Sequence, residues 1–294
     1  MIKLIKFCSL FFLVGFFGLN SLTYAASPSV GSGEGLGISP INRLVTVSAG
    51  NQNTSNITVS DLTNKPLNVS LFIKSFNVVN YNYNYQFTDP VNNWLKLSQT
   101  GINLQSGQVQ PINYTIAVPK NAASGGYYYA IFASATVPQT NINLSLQAAS
   151  IIYLTISGKL IETSNIVSNS ISHLVFGSTI NYTVNVRNSG NVNYFIYLNT
   201  RIRGYLLRPS QTQVAHLLLP NTIRSISGSI LSPYLPGIYK VDYGYSTESG
   251  SSVNLSSYIV FIPPWSIAIL ALIIISGIFI KDKRAKNLKK AHKD

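Results

Sequence analysis

The last 37 residues of the chain constrain its architecture most. A mostly apolar run from Tyr258 to Ile280 is followed at once by a lysine-rich ending, KDKRAKNLKKAHKD. At about 1.5 Å per helical residue, the part from Pro263 to Ile280 would form a helix roughly 27 Å long, close to the hydrocarbon thickness of about 30 Å. We therefore predict a transmembrane helix over residues 261–280 and a basic tail over residues 281–294.

The residues on either side of this span predict its orientation. Lys281, Lys283 and Arg284 follow it directly, whereas the nearest basic residue before it is Lys240. Because short segments rich in Lys and Arg stay in the cytoplasm, we expect a single-pass membrane protein with a cytoplasmic tail and an extracellular N-terminal part. Trp265 would lie at the outer interface, where tryptophan is enriched. Trp265 and the three basic residues are the predicted membrane anchor.

The N-terminus predicts export. Lys3 and Lys6 precede an apolar stretch from Phe7 to Leu19, and small residues follow around Thr23–Ala25. This order is typical of a cleavable signal peptide, which we place over residues 1–25. An uncleaved signal anchor is the alternative, and either outcome puts the middle of the chain outside the membrane.

Charge and cysteine content exclude two classes of protein. The only cysteine, Cys8, lies within the predicted signal, so we expect no disulfide in the mature protein. The net charge is +13, but the part between signal and tail holds only twelve Lys and Arg and six Asp and Glu. Charges this sparse do not form the basic stripe of a nucleic-acid-binding protein, so no nucleic-acid partner is expected.

The middle of the chain alternates apolar and polar residues in short runs. The pattern is clearest from Ile180 to Val186, and it recurs from Leu67 to Ile73 and from Ile112 to Val118. Such alternation is typical of antiparallel sheets with one buried and one solvated face. We predict an all-β fold with two tandem Ig-like β-sandwich domains, because the segment is long enough for two sandwiches of roughly 100 residues.

An internal repeat supports this division. At an offset of 127 residues, Val59 and Asp61 correspond to Val186 and Asn188, and each copy reads as a strand, a polar turn and a second strand. The apolar run that ends near Ser157 closes the first copy. The predicted segments are a Gly/Ser linker over residues 26–37, a first sandwich over 38–158 and a second sandwich over 159–260.

The middle of the chain offers few residues for catalysis. Its acids are Glu34, Asp61, Asp89, Glu162, Asp242 and Glu248. His173 and His216 are 43 residues apart, with no neighbouring carboxylate or cysteine at the spacing of a metal site. Without a paired acid and base, we predict a protein that is not an enzyme and has no cofactor and no metal.

The motif NYNYNYQF is the most suggestive local feature. In a strand, it would place Tyr81, Tyr83 and Tyr85 on one face and Asn82 and Asn84 on the other. Rings stack on sugar faces and amides bind hydroxyls, so these five residues are the predicted ligand-binding residues. Two other interpretations remain open: a sheet edge that pairs with a partner's strand, and an ordinary half-buried strand with its rings in the core.

Several motifs carry a resemblance across nearly the whole chain. They are Gly37–Pro40, Val59–Asn64, Trp94–Leu97, Ile112–Pro119 and the aromatic strand after Gly126. With the order of signal, two sandwiches, span and basic tail, the chain resembles the WxL-interacting surface proteins of Gram-positive bacteria. The resemblance implies a first domain that associates with peptidoglycan or with a partner surface protein.

Two hypotheses of function follow from these observations. The first is a membrane-anchored structural or binding protein of the cell envelope, whose first sandwich contacts cell-wall glycan or a surface protein. The alternative is a chaperone-like assembly component, whose edge strands complement secreted or pilus subunits.

Overall fold

The computed structural model describes residues 35–138, 143–203 and 214–291, so the predicted signal peptide lies outside the described residues. Within these ranges the chain forms eighteen β-strands and one long helix. The strands build two successive sandwiches, each around its own apolar core. The predicted fold class, all-β with two Ig-like sandwiches and a C-terminal apolar helix, is confirmed.

The first sandwich contains ten strands in two sheets. They are β1 (Leu36–Ser39), β2 (Asn42–Val47), β3 (Gln52–Asp61), β4 (Leu67–Val78), β5 (Tyr85–Thr88), β6 (Leu95–Leu97), β7 (Gly101–Leu104), β8 (Val109–Ala117), β9 (Gly125–Pro138) and β10 (Asn143–Ile156). One sheet has the order β1-β3-β8-β6, and the other has the order β2-β10-β9-β4-β5, with β7 also paired to β4.

Strand β8 shows why this sequence forms a sandwich. Its alternate residues Ile112, Tyr114 and Ile116 are buried in the core between the sheets, while Asn113 faces solvent. Each strand with this period can bury one face and solvate the other. The alternation that predicted a strand from Ile112 is therefore confirmed.

The second sandwich contains eight strands. They are β11 (Ser164–Ile171), β12 (Leu174–Val175), β13 (Thr179–Asn188), β14 (Tyr194–Arg203), β15 (Ala215–Leu218), β16 (Ile223–Leu231), β17 (Gly237–Thr247) and β18 (Ser252–Phe261). The sheet β11-β13-β16 packs against the sheet β12-β18-β17-β14-β15. The core between them includes Ile180, Val184 and Ile259.

The internal repeat corresponds to a shared turn in the two sandwiches. Asp61 ends β3 and Asn188 ends β13, and both side chains are fully buried. In each sandwich, the backbone carbonyl of this residue accepts a hydrogen bond from a residue of another turn. The Gly107 N–H donates to the Asp61 carbonyl at 3.0 Å, and the Asn221 N–H donates to the Asn188 carbonyl at 2.9 Å. Gly107 and Asn221 both have positive φ, 75° and 57°, a conformation that glycine and asparagine adopt most readily.

Two boundaries in the structure differ from the predicted ones, the end of the linker and the start of the C-terminal helix. Strand β1 begins at Leu36 and pairs with β3, so the linker predicted over residues 26–37 ends before this strand. At the other end, β18 continues to Phe261, and the helix α1 (Pro264–Ala291) starts three residues later than the predicted span. Proline fits the first helical position because an N–H at this position would have no acceptor within the helix, so its absence costs no hydrogen bond.

The helix also extends beyond its predicted end. It continues to Ala291, through most of the tail predicted over residues 281–294. Lysine, arginine and alanine are strong helix formers, so nothing in this segment stops the helix at the end of the apolar run.

Candidate functional site

The strand β10 has an open edge in its first half. It pairs with β9 along its whole length, but β2 pairs only with Ile151–Ile156. Among the described residues, no strand pairs with the other side of residues 144–150. We call these seven residues the open edge.

The register identifies which backbone groups of the open edge point outwards. The Ile151 N–H donates to the Ile41 carbonyl at 2.8 Å, so residue 151 points its backbone groups away from β9. Because this direction alternates along an antiparallel strand, Ser145, Gln147 and Ala149 also point their N–H and C=O groups outwards. These groups form a row that an added strand can bind.

The side chains of the open edge alternate between the two faces of the sheet. Leu146 packs against the core of the first sandwich, and Leu144, on the same face, is 42% exposed. Sheet edges are commonly protected by charged residues or proline, but the segment LSLQAAS contains neither. The Ser150 hydroxyl donates to the Pro40 carbonyl at 2.6 Å and marks the point where the chain before β2 begins to cover the edge.

A tyrosine from the first sandwich joins the two sandwiches. Tyr83 lies in the connection between β4 and β5, with a φ of 64°. Its hydroxyl accepts a hydrogen bond from the Leu219 N–H at 2.6 Å and lies 2.7 Å from the Thr222 hydroxyl. The Arg224 guanidinium lies 4.4 Å from the centre of its ring, within the range of a cation–π interaction. Tyr83 therefore connects the first sandwich to the start of β16.

A second group of contacts, around Asn191, also joins the two sandwiches. We call the contacts of Tyr83 and of Asn191 together the interdomain joint. Asn191, in the turn after β13, accepts a hydrogen bond from the Gly126 N–H at 2.8 Å. Its side-chain amide donates to the Ser124 carbonyl at 3.2 Å. Beside it, the Tyr128 hydroxyl donates to Asn193 at 3.2 Å. The two sandwiches are thus held together at two separate points.

The predicted strand over NYNYNYQF is wrong. Residues 79–84 form the connection, and β5 begins only at Tyr85. The connection is closed by its own hydrogen bonds: the Val79 N–H donates to the Asn84 carbonyl at 3.2 Å, and the Tyr83 N–H donates to the Asn80 carbonyl at 3.1 Å. Asparagine favours turns because its short amide competes for nearby backbone groups, and this local preference outweighs the strand pattern.

The structure separates the five predicted ligand-binding residues. Tyr81, Asn82 and Asn84 are exposed on the connection, while Tyr83 lies half-buried in the interdomain joint. Tyr85 lies on β5, where its hydroxyl is 2.9 Å from that of Tyr153. Rings and amides thus do not form the two faces of one strand.

Tyr85 belongs to an aromatic face on the outer side of the six-stranded sheet. Its ring lies 4.8 Å from Phe76, and the ring of Phe87 lies 4.9 Å from Phe132. Leu219 from the second sandwich packs against this cluster. The aromatic face is therefore partly covered by the interdomain joint.

A cleft of about 410 Å³ opens between the sandwiches beside this cluster. Its lining includes Phe76, Asn92, Tyr128, Leu219 and Asn221, and no lining residue is charged. A neutral cleft of this kind has no acid–base pair for proton transfer. It can accept apolar groups and hydrogen-bonding groups.

Burial of the tyrosines predicts an alkaline transition of the joint. Burial raises the pKa of Tyr83, of Tyr128 and of Tyr153. The folded chain therefore keeps these phenol protons to a higher pH than the unfolded chain, whose tyrosines titrate near pH 10. The stability that this difference contributes is complete below about pH 10 and is lost as the pH rises toward the raised values.

We expect tyrosinate absorbance and circular dichroism to change together above about pH 10 in an alkaline titration of the full chain. Replacement of the exposed Tyr81 by phenylalanine should leave this transition in place. Gradual ionisation near pH 10 with no change in the circular dichroism would contradict the prediction.

The predicted anchor residues lie at the two ends of the apolar part of α1. Trp265 is in its first turn, and Lys281, Lys283 and Arg284 are exposed in the part that follows the apolar run. The stretch Pro264–Arg284 is 21 residues long and contains an 18-residue window with a mean hydropathy of 2.1. Among the described residues, this is the one helix long and apolar enough to span a membrane.

Sequence reasoning missed the open edge and the second half of the interdomain joint. The apolar run from Ser150 predicts the end of the first domain, but the strand that contains it begins earlier, at Asn143. The alternation of Leu144 and Leu146 with Ser145 and Gln147 is a signal that could have extended it. No local signal marks Asn191 as an interdomain contact.

No protein-family model and no curated protein sequence matches this chain. Among solved structures, a chain of the chaperone–tip adhesin complex of CFA/I fimbriae is 17% identical, over 76% of this chain and 98% of that chain, with a TM-score of 0.39. The class 5 fimbriae chaperone CfaA is 16% identical over 78% and 99%, with a TM-score of 0.38. The E. coli chaperone DraB is 9% identical over 76% and 96%, with a TM-score of 0.37.

The first hypothesis of function, contact of the first sandwich with cell-wall glycan, is wrong. The neighbours named above come from chaperone structures, and none of them is a WxL-interacting protein. The geometry gives a physical reason: the predicted aromatic and amide residues are divided between a turn, the interdomain joint and β5. The resemblance between the chains lies in the Ig-like fold, so the function is argued below from the contacts of this chain.

Proposed function

We propose that this chain is a membrane-anchored, non-enzymatic, chaperone-like component for the assembly of secreted or pilus-type subunits. It would bind an extended segment of its client at the open edge of β10. The observation that carries this proposal is the pairing of β2 with residues 151–156 alone, which leaves residues 144–150 open on one side.

The open edge has the length and chemistry that strand addition requires. Seven residues at about 3.4 Å each extend over roughly 24 Å, a typical strand length. The backbone groups of Ser145, Gln147 and Ala149 would bind the client main chain, which gives affinity without a fixed client sequence. Leu144 and Leu146 would supply the apolar contact on the core side.

The rest of the molecule fits the same role. The interdomain joint at Tyr83 and Asn191 holds the two sandwiches together. The helix α1 would tether them to the membrane, with the sandwiches outside and the basic tail in the cytoplasm. Membership of the WxL-interacting family stays a prediction, and the proposed function does not depend on it.

A proline substitution tests the open edge. In Gln147→Pro the outward N–H disappears, while the pairing with β9 uses other residues, so the strand itself should persist. We expect a photo-crosslinking residue at position 144 of the full chain, expressed in its native cells, to form adducts with an exported protein. Gln147→Pro should lower the yield of these adducts about tenfold or more, because the client loses a main-chain hydrogen bond and meets the proline ring.

Asn254→Pro is the matched control. Asn254 lies on β18, which pairs with β17 on one side, and it also points its backbone groups outwards, since Val260 on the same strand donates to the His173 carbonyl. This variant should keep the adducts at position 144. Equal losses in both variants, or adducts that contain no exported protein, would contradict the proposed function.

A further inference from the structure

A group of exposed apolar side chains, which we call the apolar collar, lies at the end of the second sandwich from which α1 starts; we call this end the base of the second sandwich. The collar consists of exposed hydrophobic side chains from three separate segments of the chain: Leu174, Phe176, Leu235, Ile238, Tyr258 and Val260. Single exposed apolar residues are normal on a protein surface, but a group from three segments at one end marks an interaction surface.

The strand register brings part of the collar into one row. Leu174 of β12 pairs with Val260 of β18, and Val260 pairs with Ile238 of β17. Their inward neighbours Val175 and Phe261 are buried, so the three collar residues face the outside of the sheet. Ile238 is 73% exposed, although it is as apolar as the residues of the core.

The connections place two more collar residues still nearer to the helix. Phe176 follows Val175, whose carbonyl accepts a hydrogen bond from the Ile262 N–H at 2.9 Å. Leu235 comes shortly before Gly237, which pairs with Phe261 at the end of β18. Both residues therefore lie at the level where the strand leads into α1.

The link between β18 and α1 is too short to hold this surface away from a membrane. Only Ile262 and Pro263 separate Phe261 from the first residue of the helix. Two extended residues reach about 7 Å. The headgroup layer on each side of a bilayer is of similar thickness, about 5–8 Å. A helix in the hydrocarbon therefore brings the base of the second sandwich into the headgroup region.

The composition of the base suits this location. Residues 174–180, 230–239 and 257–266 contain no Lys, Arg, Asp or Glu, and the next residue of the second range, Lys240, lies opposite Tyr258 in the register. Residues 281–294, which follow the apolar run, are by contrast dense in Lys. A water-facing surface normally carries charged residues, and a charge in the headgroup–acyl boundary is costly to desolvate. Aromatic and aliphatic side chains are favoured there.

We propose that the collar inserts into the headgroup layer of the same membrane that α1 spans. The occupant of this surface is thus the lipid interface, and the inference rests on the proposed membrane anchoring of the chain. Contact of several collar residues with lipid, beside the helix itself, would restrict the tilt of the second sandwich. Because the interdomain joint connects the sandwiches, the open edge of β10 would then be held at a defined height above the bilayer.

Spin labels on the full chain in phosphatidylcholine nanodiscs, one chain per disc, test this inference. In a Cys8→Ser background, single labels are placed by Leu235→Cys in the collar, Ile274→Cys in the middle of α1 and Val91→Cys in the first sandwich, where Val91 is 89% exposed. Accessibility to oxygen, which partitions into lipid, is compared with accessibility to a water-soluble nickel chelate. We expect the ratio of oxygen to nickel accessibility at position 235 to exceed that at position 91 by about fivefold, with position 274 higher still.

The outcomes separate the two proposals. If the label at position 274 is in lipid but position 235 is as accessible to nickel as position 91, the collar inference is overturned while the membrane anchoring stands. If position 274 is itself accessible to nickel, the anchoring fails as well. A label at position 235 that is protected from both reagents would indicate a protein contact in place of lipid and would also overturn the inference.

Discussion

The Asn188→Ala variant is expected to lower the free energy of unfolding of the second sandwich by about 3–5 kcal/mol. The Asn188 side chain is fully buried. Its amide donates to the carbonyls of Val192 at 2.9 Å and Leu218 at 3.1 Å, and its oxygen accepts from the Gly190 N–H at 2.8 Å. Alanine would leave these three buried backbone groups without partners, and each such loss costs about 1–3 kcal/mol.

Urea unfolding of the full chain in detergent, followed by circular dichroism, measures this loss, and hydrogen exchange assigns it to residues 164–261. Asn181→Ala is the control, because Asn181 lies on the same strand but is exposed. Its effect should stay within about 0.5 kcal/mol. Similar losses in the two variants would show that the buried hydrogen bonds are not the cause.

The fold class could be predicted because alternation is a local property. Residues 180–186 alternate along β13, where Ile180, Val184 and Val186 are buried and Asn181 is exposed. Each face of a strand meets its own environment over its whole length, so the period of two appears in the sequence itself. Which strands pair with each other, by contrast, is not visible in the sequence of a single strand.

The repeated turn shows where local reasoning reaches its limit. Asp61 accepts hydrogen bonds from the N–H and the hydroxyl of Thr63, both at 2.7 Å, as expected of a turn residue. The corresponding Asn188 also binds within its own turn, at Gly190 and Val192. Its bond to Leu218 crosses to another strand, and the sequence spacing does not predict that contact.

The functional surfaces were harder to predict because they depend on distant parts of the chain. The edge of β10 is open because β2 ends its pairing at Ile151, which the sequence of β10 does not encode. Tyr83 fits a strand pattern as well as it fits a turn, and its partner Thr222 lies 139 residues away in the other sandwich. A single sequence contains no signal for such pairs of residues.

The Tyr83→Ala variant is expected to uncouple the two sandwiches. The ring contacts both the core of the second sandwich and the aromatic cluster with Leu219, and its hydroxyl is bonded to the Leu219 N–H and lies beside Thr222. Loss of a fully buried aromatic side chain costs about 3–5 kcal/mol, and the half-buried Tyr83 should approach the lower end of this range. We expect thermal unfolding to separate into two transitions, with faster hydrogen exchange in residues 217–226.

Tyr81→Ala is the matched control two residues away. The Tyr81 side chain is 49% exposed, and its contact with the second sandwich is a backbone one, from the Ser225 N–H to the Tyr81 carbonyl at 2.8 Å. This variant should keep the coupling, because alanine preserves that carbonyl. Tyr83→Phe should lie between the two, since it keeps the ring but leaves the Leu219 N–H unpaired, at about 1–3 kcal/mol. If Tyr83→Ala unfolds like the wild type, the coupling comes instead from the contacts around Asn191, and the second transition should appear only when Asn191 is replaced.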